Sequence, residues 1–399
     1  MATRLYGSIF FQKEIAGTLE QVPDGRFAFT YATSYLDSGG PQIAFTLPRQ
    51  QDAHYSFGLH SFFDNLVAEG WLARAQARAL DIRADDRFAR LLAFGQDCPG
   101  AVSVVDPRPA TTPDLTLGTV EEIAALTNRA SISGVQPKLF AVRERGRFRP
   151  AQSGEPSTHI AKLPSAELEG LVELEYLTTR AAAALLPDDQ IVPVEIAPVE
   201  KVHGPCLLVQ RFDRTAEGAK VHFEEFNQLL GRPSEAKYEG SYGEMAAFIL
   251  ANQQRQREQD VDRLFRRVLV CILLGNNDAH AKNFALLYTP EGFHLAPFYD
   301  IVAASVYPRF RRSGLALKIV SGTNPHSLSD IGAKHLSLLA KSFQLNDAAL
   351  RLAVADLRRQ LPAAEAAIQE SPAGASQWKK KLVELLRKRW NGTFDSIGK

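Results

Sequence analysis

Cysteine is scarce: Cys98, Cys206 and Cys271 are the only three in 399 residues. Odd in number, far apart and set among apolar neighbours, they exclude a disulfide scaffold and a thiolate metal site. They read as reduced core residues of a reducing compartment. Long hydrophobic runs are also missing. The longest, Val268–Leu274, is far too short to cross a bilayer. The first residues break their apolar run at Gln12-Lys13-Glu14 and offer no signal-peptide core, so a cytoplasmic protein with no membrane partner is expected. Neither sign of charge dominates: 46 Lys and Arg stand against 45 Asp and Glu, whereas a general nucleic-acid binder carries a strong basic excess. Internal repeats and low-complexity tracts are absent. What remains is a composition ordinary for a soluble protein, 45% apolar and 23% charged, and a chain long enough for two or three lobes.

The most informative segment is Gly275-Asn276-Asn277-Asp278-Ala279-His280-Ala281-Lys282-Asn283-Phe284. Asp and Asn are common turn residues, and an Asp five positions before an Asn means little alone. Its setting means more. Val261, Leu264, Phe265, Val268, Leu269 and Ile272 recur at helical spacing and predict a buried helix that Gly275 and two asparagines stop. Phe284–Tyr288 and Phe293–Pro297 then read as a hairpin around Pro290-Glu291-Gly292, which folds Asp300 back beside Asn283. Phosphotransfer enzymes of the protein-kinase type need this arrangement. An Asp orients the acceptor hydroxyl, an Asn five residues on holds Mg²⁺, and a later Asp holds the metal from the other side. The loop reads D-x-H-x-K-N rather than H-R-D-x-x-x-x-N, so the spacing fits a divergent kinase.

Upstream, Leu5–Phe11, Arg26–Tyr31 and Gln42–Leu47 are strand-like, with a turn at Pro23-Asp24-Gly25, and a helix begins at Ser61. A Pro- and Thr-rich linker at Pro107–Pro113 marks a boundary near 106. Ser131–Lys138 is a small-residue turn able to present backbone N–H groups to an anion; with a single Gly, an ordinary turn explains it equally well. Leu139–Val142 and Arg147–Pro150 form a hairpin, and Thr158–Lys162 is a strand ending in a lysine. Lys162 suits the α- and β-phosphates as a point charge on a long stem, or is a snorkelling strand end. A helix over Glu167–Leu186, strands over Ile191–Ile196 and Cys206–Phe212, and mostly helical sequence after Asp213 complete the pattern.

Four separated motifs carry a resemblance that spans about residues 5 to 340. They are Phe62-Phe63-Asp64-Asn65-Leu66 with Glu69-Gly70-Trp71 and Gly95–Ala101; Ser131–Lys138; Val209–Arg214; and Asn277–Asn283. The chain resembles the HipA family of bacterial serine/threonine kinases, toxins of HipBA-type modules. The resemblance implies an α+β, divergent protein-kinase-like bilobal fold with a sheet-rich N-lobe, a mostly helical C-lobe and an extra N-terminal α+β subdomain. It implies three parts: 1–105 as that subdomain, 106–210 as the N-lobe with its phosphate loop, and 211–399 as the helical C-lobe. It implies an ATP- and Mg²⁺-dependent toxin kinase. A helix-turn-helix antitoxin and, through it, operator DNA would be its partners, and an aminoacyl-tRNA synthetase its substrate.

Carried over residue by residue, the resemblance makes Asp278 and Lys282 catalytic and Asn283 and Asp300 the metal ligands. The nucleotide would be bound by Ser133, Gly134, Val135, Gln136, Lys138, Lys162, Gln210, Arg211, Phe212 and His280. Glu175 would pair with Lys162, and Ser131 and Ser133 would be autophosphorylated. Where the family often has Glu, this chain has Gln210. A small-molecule or lipid kinase of the same fold, or a DNA-bound corepressor, remains an alternative. Arg309, Arg311 and Arg312 read as a solvated basic cluster, and the basic C-terminal helix receives no function.

Overall fold

The computed structural model describes residues 5–108, 119–127, 136–322 and 327–397. The chain divides into two compact units, one of residues 1–164 and 197–236, the other of 165–196 and 237–399. The division departs from the chain-order boundaries expected near 106 and 211, and the first unit's packing explains why.

That unit opens with β1 (Tyr6–Phe11), β2 (Glu14–Gln21), β3 (Phe27–Tyr31), β4 (His54–Ser56) and β5 (Val102–Val105), an antiparallel sheet in the order β4-β3-β2-β1-β5. The turn between β2 and β3 is the expected Pro23-Asp24-Gly25, with Gly25 at φ +86° and the Arg26 N–H donating to Asp24. Ile9, Leu19, Phe29 and Val104 are buried against Phe62, Phe63 and Leu91. Gln42–Leu47, expected as a strand, joins no sheet. Its buried residues Ile43, Ala44 and Leu47 do not alternate. The segment is instead turned around the Tyr31 hydroxyl, which accepts from the Ile43 N–H at 3.1 Å and donates to the Leu47 carbonyl at 2.7 Å.

A second antiparallel ladder follows. β6 (Lys138–Glu144) lies between β7 (Arg147–Pro150) and β8 (His159–Lys162), and β8 also pairs with β10 (Pro205–Gln210), which follows β9 (Val194–Pro198). The short strand β11 (Phe223–Glu225) is the last in this unit. Leu72, Ala75 and Ala79, on the helix Gly70–Leu80, share one core with Phe140, Ala161 and Leu208 of the second sheet. The N-terminal segment and the second sheet therefore fold as one body. All three cysteines are buried and free, and burial pushes each thiol up to about 12, as inert core residues require.

The second unit is mostly helical. The helix Leu171–Leu185 starts four residues later than the sequence suggested, after Gly170 at φ +68°, where a Cβ would meet the Trp378 indole at 2.0 Å. It packs on the long helix Asp347–Gln369. The helix Arg257–Leu274 runs fully buried from Arg267 to Leu274. Beyond it lie β12 (Ala285–Thr289) and β13 (Gly292–Leu295), the hairpin the sequence predicted.

A four-charge network sits inside the first unit. Arg211 reaches Asp97 at 3.1 Å and Asp213 at 2.7 Å; Arg214 reaches the same two carboxylates at 2.5 and 2.8 Å. The Gly100 N–H donates to Asp213, Arg211 donates to the Ser157 hydroxyl, and the Arg211 guanidinium lies 4.2 Å from the Phe140 ring centroid. Burial alone would raise both carboxyls. The Arg211 and Arg214 charges outweigh it, holding Asp97 below its usual range and Asp213 down to about 2.

Asp213→Ala leaves two guanidiniums buried with half their counter-charge, and should destabilise the protein by about 3–5 kcal/mol in urea unfolding. An unchanged midpoint contradicts the network's role. Because Asp213 is depressed when folded, its contribution is present above the unfolded carboxyl range near ~4 and is lost as pH falls through about 2. A second expectation concerns Gly275, at φ +74°, where an added Cβ would stand 2.2 Å from the Ser305 hydroxyl and 2.6 Å from Leu385. Left-handed backbone and overpacking together predict that Gly275→Ala costs about 2–4 kcal/mol. Thermal denaturation checks it, and an unshifted melting temperature contradicts it.

Candidate active site

Each unit carries part of the predicted constellation. In the second unit, the buried helix ends at the left-handed Gly275, and the chain turns into an irregular loop held by its own polar groups and by residues packed around it. Asn276 accepts from the Asp278 N–H at 3.2 Å, and Asn277 donates to the Phe310 carbonyl at 2.9 Å. The His280 N–H donates to the Asn283 side-chain oxygen, and the Asn283 N–H donates back to the His280 carbonyl, each at 2.9 Å. Tyr242 and Tyr299 donate to the carbonyls of Ala279 and Lys282 at 3.0 and 2.8 Å. From Cys271 to Leu286 every residue is buried except Asp278. A loop held this firmly, with one exposed carboxylate, suits a group that must meet a substrate from a fixed position.

The predicted metal pair is brought together. The hairpin returns Asp300 so that the Asn283 amide donates to its Oδ2 at 2.9 Å. Asp300 sits at φ +59°, a left-handed conformation that Asp tolerates only at some cost. Among the described residues no cluster of three or more His, Cys, Asp or Glu side chains could hold a metal by itself. One carboxylate and one amide oxygen are too few for zinc or calcium. Mg²⁺ takes few ligands from a protein when substrate phosphates and waters supply the rest, and here Asn283 turns its amide nitrogen to Asp300 and its oxygen to the His280 N–H, so holding the metal with both residues would require that amide to turn over. Lys282 is buried in the same loop, and the His280 ring lies edge-on to Tyr238 at 5.1 Å.

In the first unit, Lys138 and Lys162 are register partners across β6 and β8, so both side chains leave the same face of the ladder. They are 8% and 6% exposed. Two ammonium groups on one face of the ladder are of the right sign to meet the phosphates of a nucleotide. Gln136 donates to the Leu163 carbonyl at 3.0 Å, fixing the chain that leads into β6. Ser131, Ser133, Gly134 and Val135 lie outside the described residues. Glu175 is buried on the helix Leu171–Leu185 of the second unit.

Gln210 is exposed at the end of β10, and Phe212 is half-buried with its ring 4.9 Å from Phe223. Arg211 differs from a nucleotide ligand's expected state. Its guanidinium is inside the four-charge network and its N–H donates to the Thr158 carbonyl, so only its carbonyl remains for a ligand. Sequence reasoning missed Asp97 and Asp213 as its partners and missed Tyr238, whose hydroxyl donates to Asp278 at 2.9 Å. No local pattern marks a contact between residues 40 or 114 positions apart.

Comparison with known proteins agrees over nearly the full length. Residues 7–105 match the HipA N-terminal domain and residues 130–365 the HipA-like C-terminal domain. The Sinorhizobium fredii protein Y4dM is 31% identical over 76% of this chain and 77% of its own length. The Shewanella oneidensis serine/threonine-protein kinase toxin HipA is 28% identical over 76% of this chain and 75% of its own. A solved complex of HipA, HipB and operator DNA from Shewanella oneidensis MR-1 contains a chain similar in fold. The TM-score is 0.79 at 23% identity, over 98% of this chain and 99% of that one. With the Asp278, Asn283 and Asp300 arrangement in place, these matches show that the chain belongs to the HipA family of kinases.

Proposed function

We propose that this protein transfers the γ-phosphoryl group of ATP to a protein serine or threonine and acts as the toxin of a two-component module. The observation that carries the reading is the loop in which Asp278 alone is exposed while Asn283 reaches Asp300. In the proposed step the acceptor oxygen bonds to the γ-phosphorus as the bond to the β,γ-bridging oxygen breaks, and ADP leaves. Asp278 orients the hydroxyl and takes its proton. Lys282 offsets charge on the phosphoryl in transit, and Lys138 and Lys162 hold the phosphates. Asn283 and Asp300 would hold Mg²⁺, which would supply charge neutralisation to the nucleotide phosphates.

Gln210–Phe212 is the adenine-binding stretch in this reading. Arg211 contributes by its carbonyl, and His280 keeps a structural part in the loop. Residues 1–105 supply no nucleotide ligand; 106–210 hold the phosphates and 211–399 the catalytic groups. An aminoacyl-tRNA synthetase is the proposed substrate and a HipB-like helix-turn-helix antitoxin the proposed partner, with operator DNA reached through it. The composition of the similar Shewanella complex supports the partner. Among the described residues no helix is long and apolar enough to cross a membrane, and the proposed setting is the cytoplasm.

Asp278→Asn and Asp300→Asn should each keep the fold and lower transfer from radiolabelled ATP by roughly three orders of magnitude. A near wild-type rate in the Asp278 variant contradicts the assignment. Ser131 and Ser133 stand in the proposed phosphate loop. Autophosphorylation there would put about −1.5 to −2 charges per group where ATP phosphates bind, and so reduce ATP affinity. Intact-mass spectra after incubation with Mg·ATP should show one or two added phosphates mapping to this loop. An unmodified loop in active enzyme contradicts self-inhibition.

A further inference from the structure

Asp278 is exposed, and an exposed carboxylate on a short side chain rotates about its terminal bond unless something holds it. Its backbone is fixed by the Asn276 side chain, but that bond leaves the carboxylate plane unset. The short 3₁₀ turn Ser234–Tyr238 brings a hydroxyl to that carboxylate. The Lys237 carbonyl accepts from the Ala281 N–H at 3.1 Å, which stitches the turn to the loop. Tyr238, next in sequence, donates its hydroxyl to Asp278 Oδ1 at 2.9 Å.

The Tyr238 ring is itself restrained on two sides, although the residue is 48% exposed. Its plane meets the His280 ring at 85°, with 5.1 Å between centroids. The Lys237 ammonium stands 5.5 Å from its centroid, within cation–π range. An exposed tyrosine without such contacts would sample several rotamers, and its hydrogen bond to a solvated carboxylate would be brief. Here the backbone stitch, the edge contact and the cation converge on one hydroxyl aimed at one oxygen.

We infer that Tyr238 is a positioning residue for phosphoryl transfer, fixing the Asp278 carboxylate plane by holding Oδ1. This rests on the kinase reading above and deepens it. With Oδ1 held, the direction of Oδ2 is set as well. The acceptor's proton passes to the carboxylate through the oxygen Tyr238 does not hold, while the new P–O bond forms and ADP departs. Tyr238 gives up no proton and touches no reacting atom. It acts by keeping Asp278 in the one rotamer that meets the acceptor.

The test uses the full chain and Mg·ATP, following γ-phosphoryl transfer to the protein itself and to water, with thermal denaturation alongside. Tyr238→Phe keeps the ring contacts and removes only the donor. The expected result is a kcat lowered roughly ten-fold, with KM for ATP and melting temperature unchanged. A merely structural tyrosine would move the melting temperature and KM together, which overturns the inference. So does a kcat equal to wild type, or above it, the latter meaning that the hydroxyl obstructs the acceptor. Asp278→Asn separates the two levels of argument. If it is inactive while Tyr238→Phe turns over like wild type, only the positioning role falls. If wild type turns over no faster than Asp278→Asn, the kinase assignment falls and this inference with it.

Discussion

The buried network of Asp97, Asp213, Arg211 and Arg214 is the constraint on which the first unit depends. Charges this deep are costly to remove from water, and each is tolerable only while the other three stay in place. Asp97 belongs to the N-terminal segment and Arg211 follows the last residue of β10. The Asp97 carboxylate therefore helps to fix the geometry of Gln210–Phe212 from a segment over a hundred residues away. Together with the core shared by Leu72, Phe140 and Leu208, this makes the N-terminal segment part of the body that holds Lys138 and Lys162, not an appendage. A change in the N-terminal segment has a direct physical route to the proposed adenine-binding stretch.

The second unit solves a different problem, holding one carboxylate exposed on a rigid base. An apolar helix stops at a left-handed glycine, and side-chain amides, tyrosine hydroxyls and backbone groups satisfy the following loop. Asp300 takes a left-handed backbone that few residues adopt, and Asn283 bonds to it there. Backbone strain retained beside a side-chain hydrogen bond of this kind clusters at functional sites. The same loop contains the buried Lys282, so cationic and anionic groups are set within a few residues of one another.

Much of this was legible in the sequence, for identifiable reasons. The buried helix, its glycine stop and the hairpin before Asp300 follow from local periodicity and turn chemistry, which act over a few residues. Gln42–Leu47 misled because four apolar residues in six resemble a strand, whereas the spacing of the three that are buried serves a turn wrapped on the Tyr31 hydroxyl. The grouping of 1–105 with the second sheet was not legible, because the linker composition near Pro107 signals a boundary and the shared core is a tertiary fact. Arg211 resembled a hinge ligand by position, and its burial against Asp97 depends on residues far away in the chain. Tyr238 left no trace at all, since a hydroxyl-to-carboxylate bond across 40 residues has no local pattern.

The central claim is that Asp278 and Asp300 have separate duties in one phosphotransfer site, the first toward the acceptor and the second toward the metal. The most direct measurement is Mn²⁺ binding in the presence of a non-hydrolysable ATP analogue, followed by electron paramagnetic resonance on wild type and the two Asn variants. Wild type and Asp278→Asn should hold the Mn²⁺–nucleotide complex alike, while Asp300→Asn should lose the bound metal signal. Equal metal binding in Asp300→Asn and wild type would contradict the account.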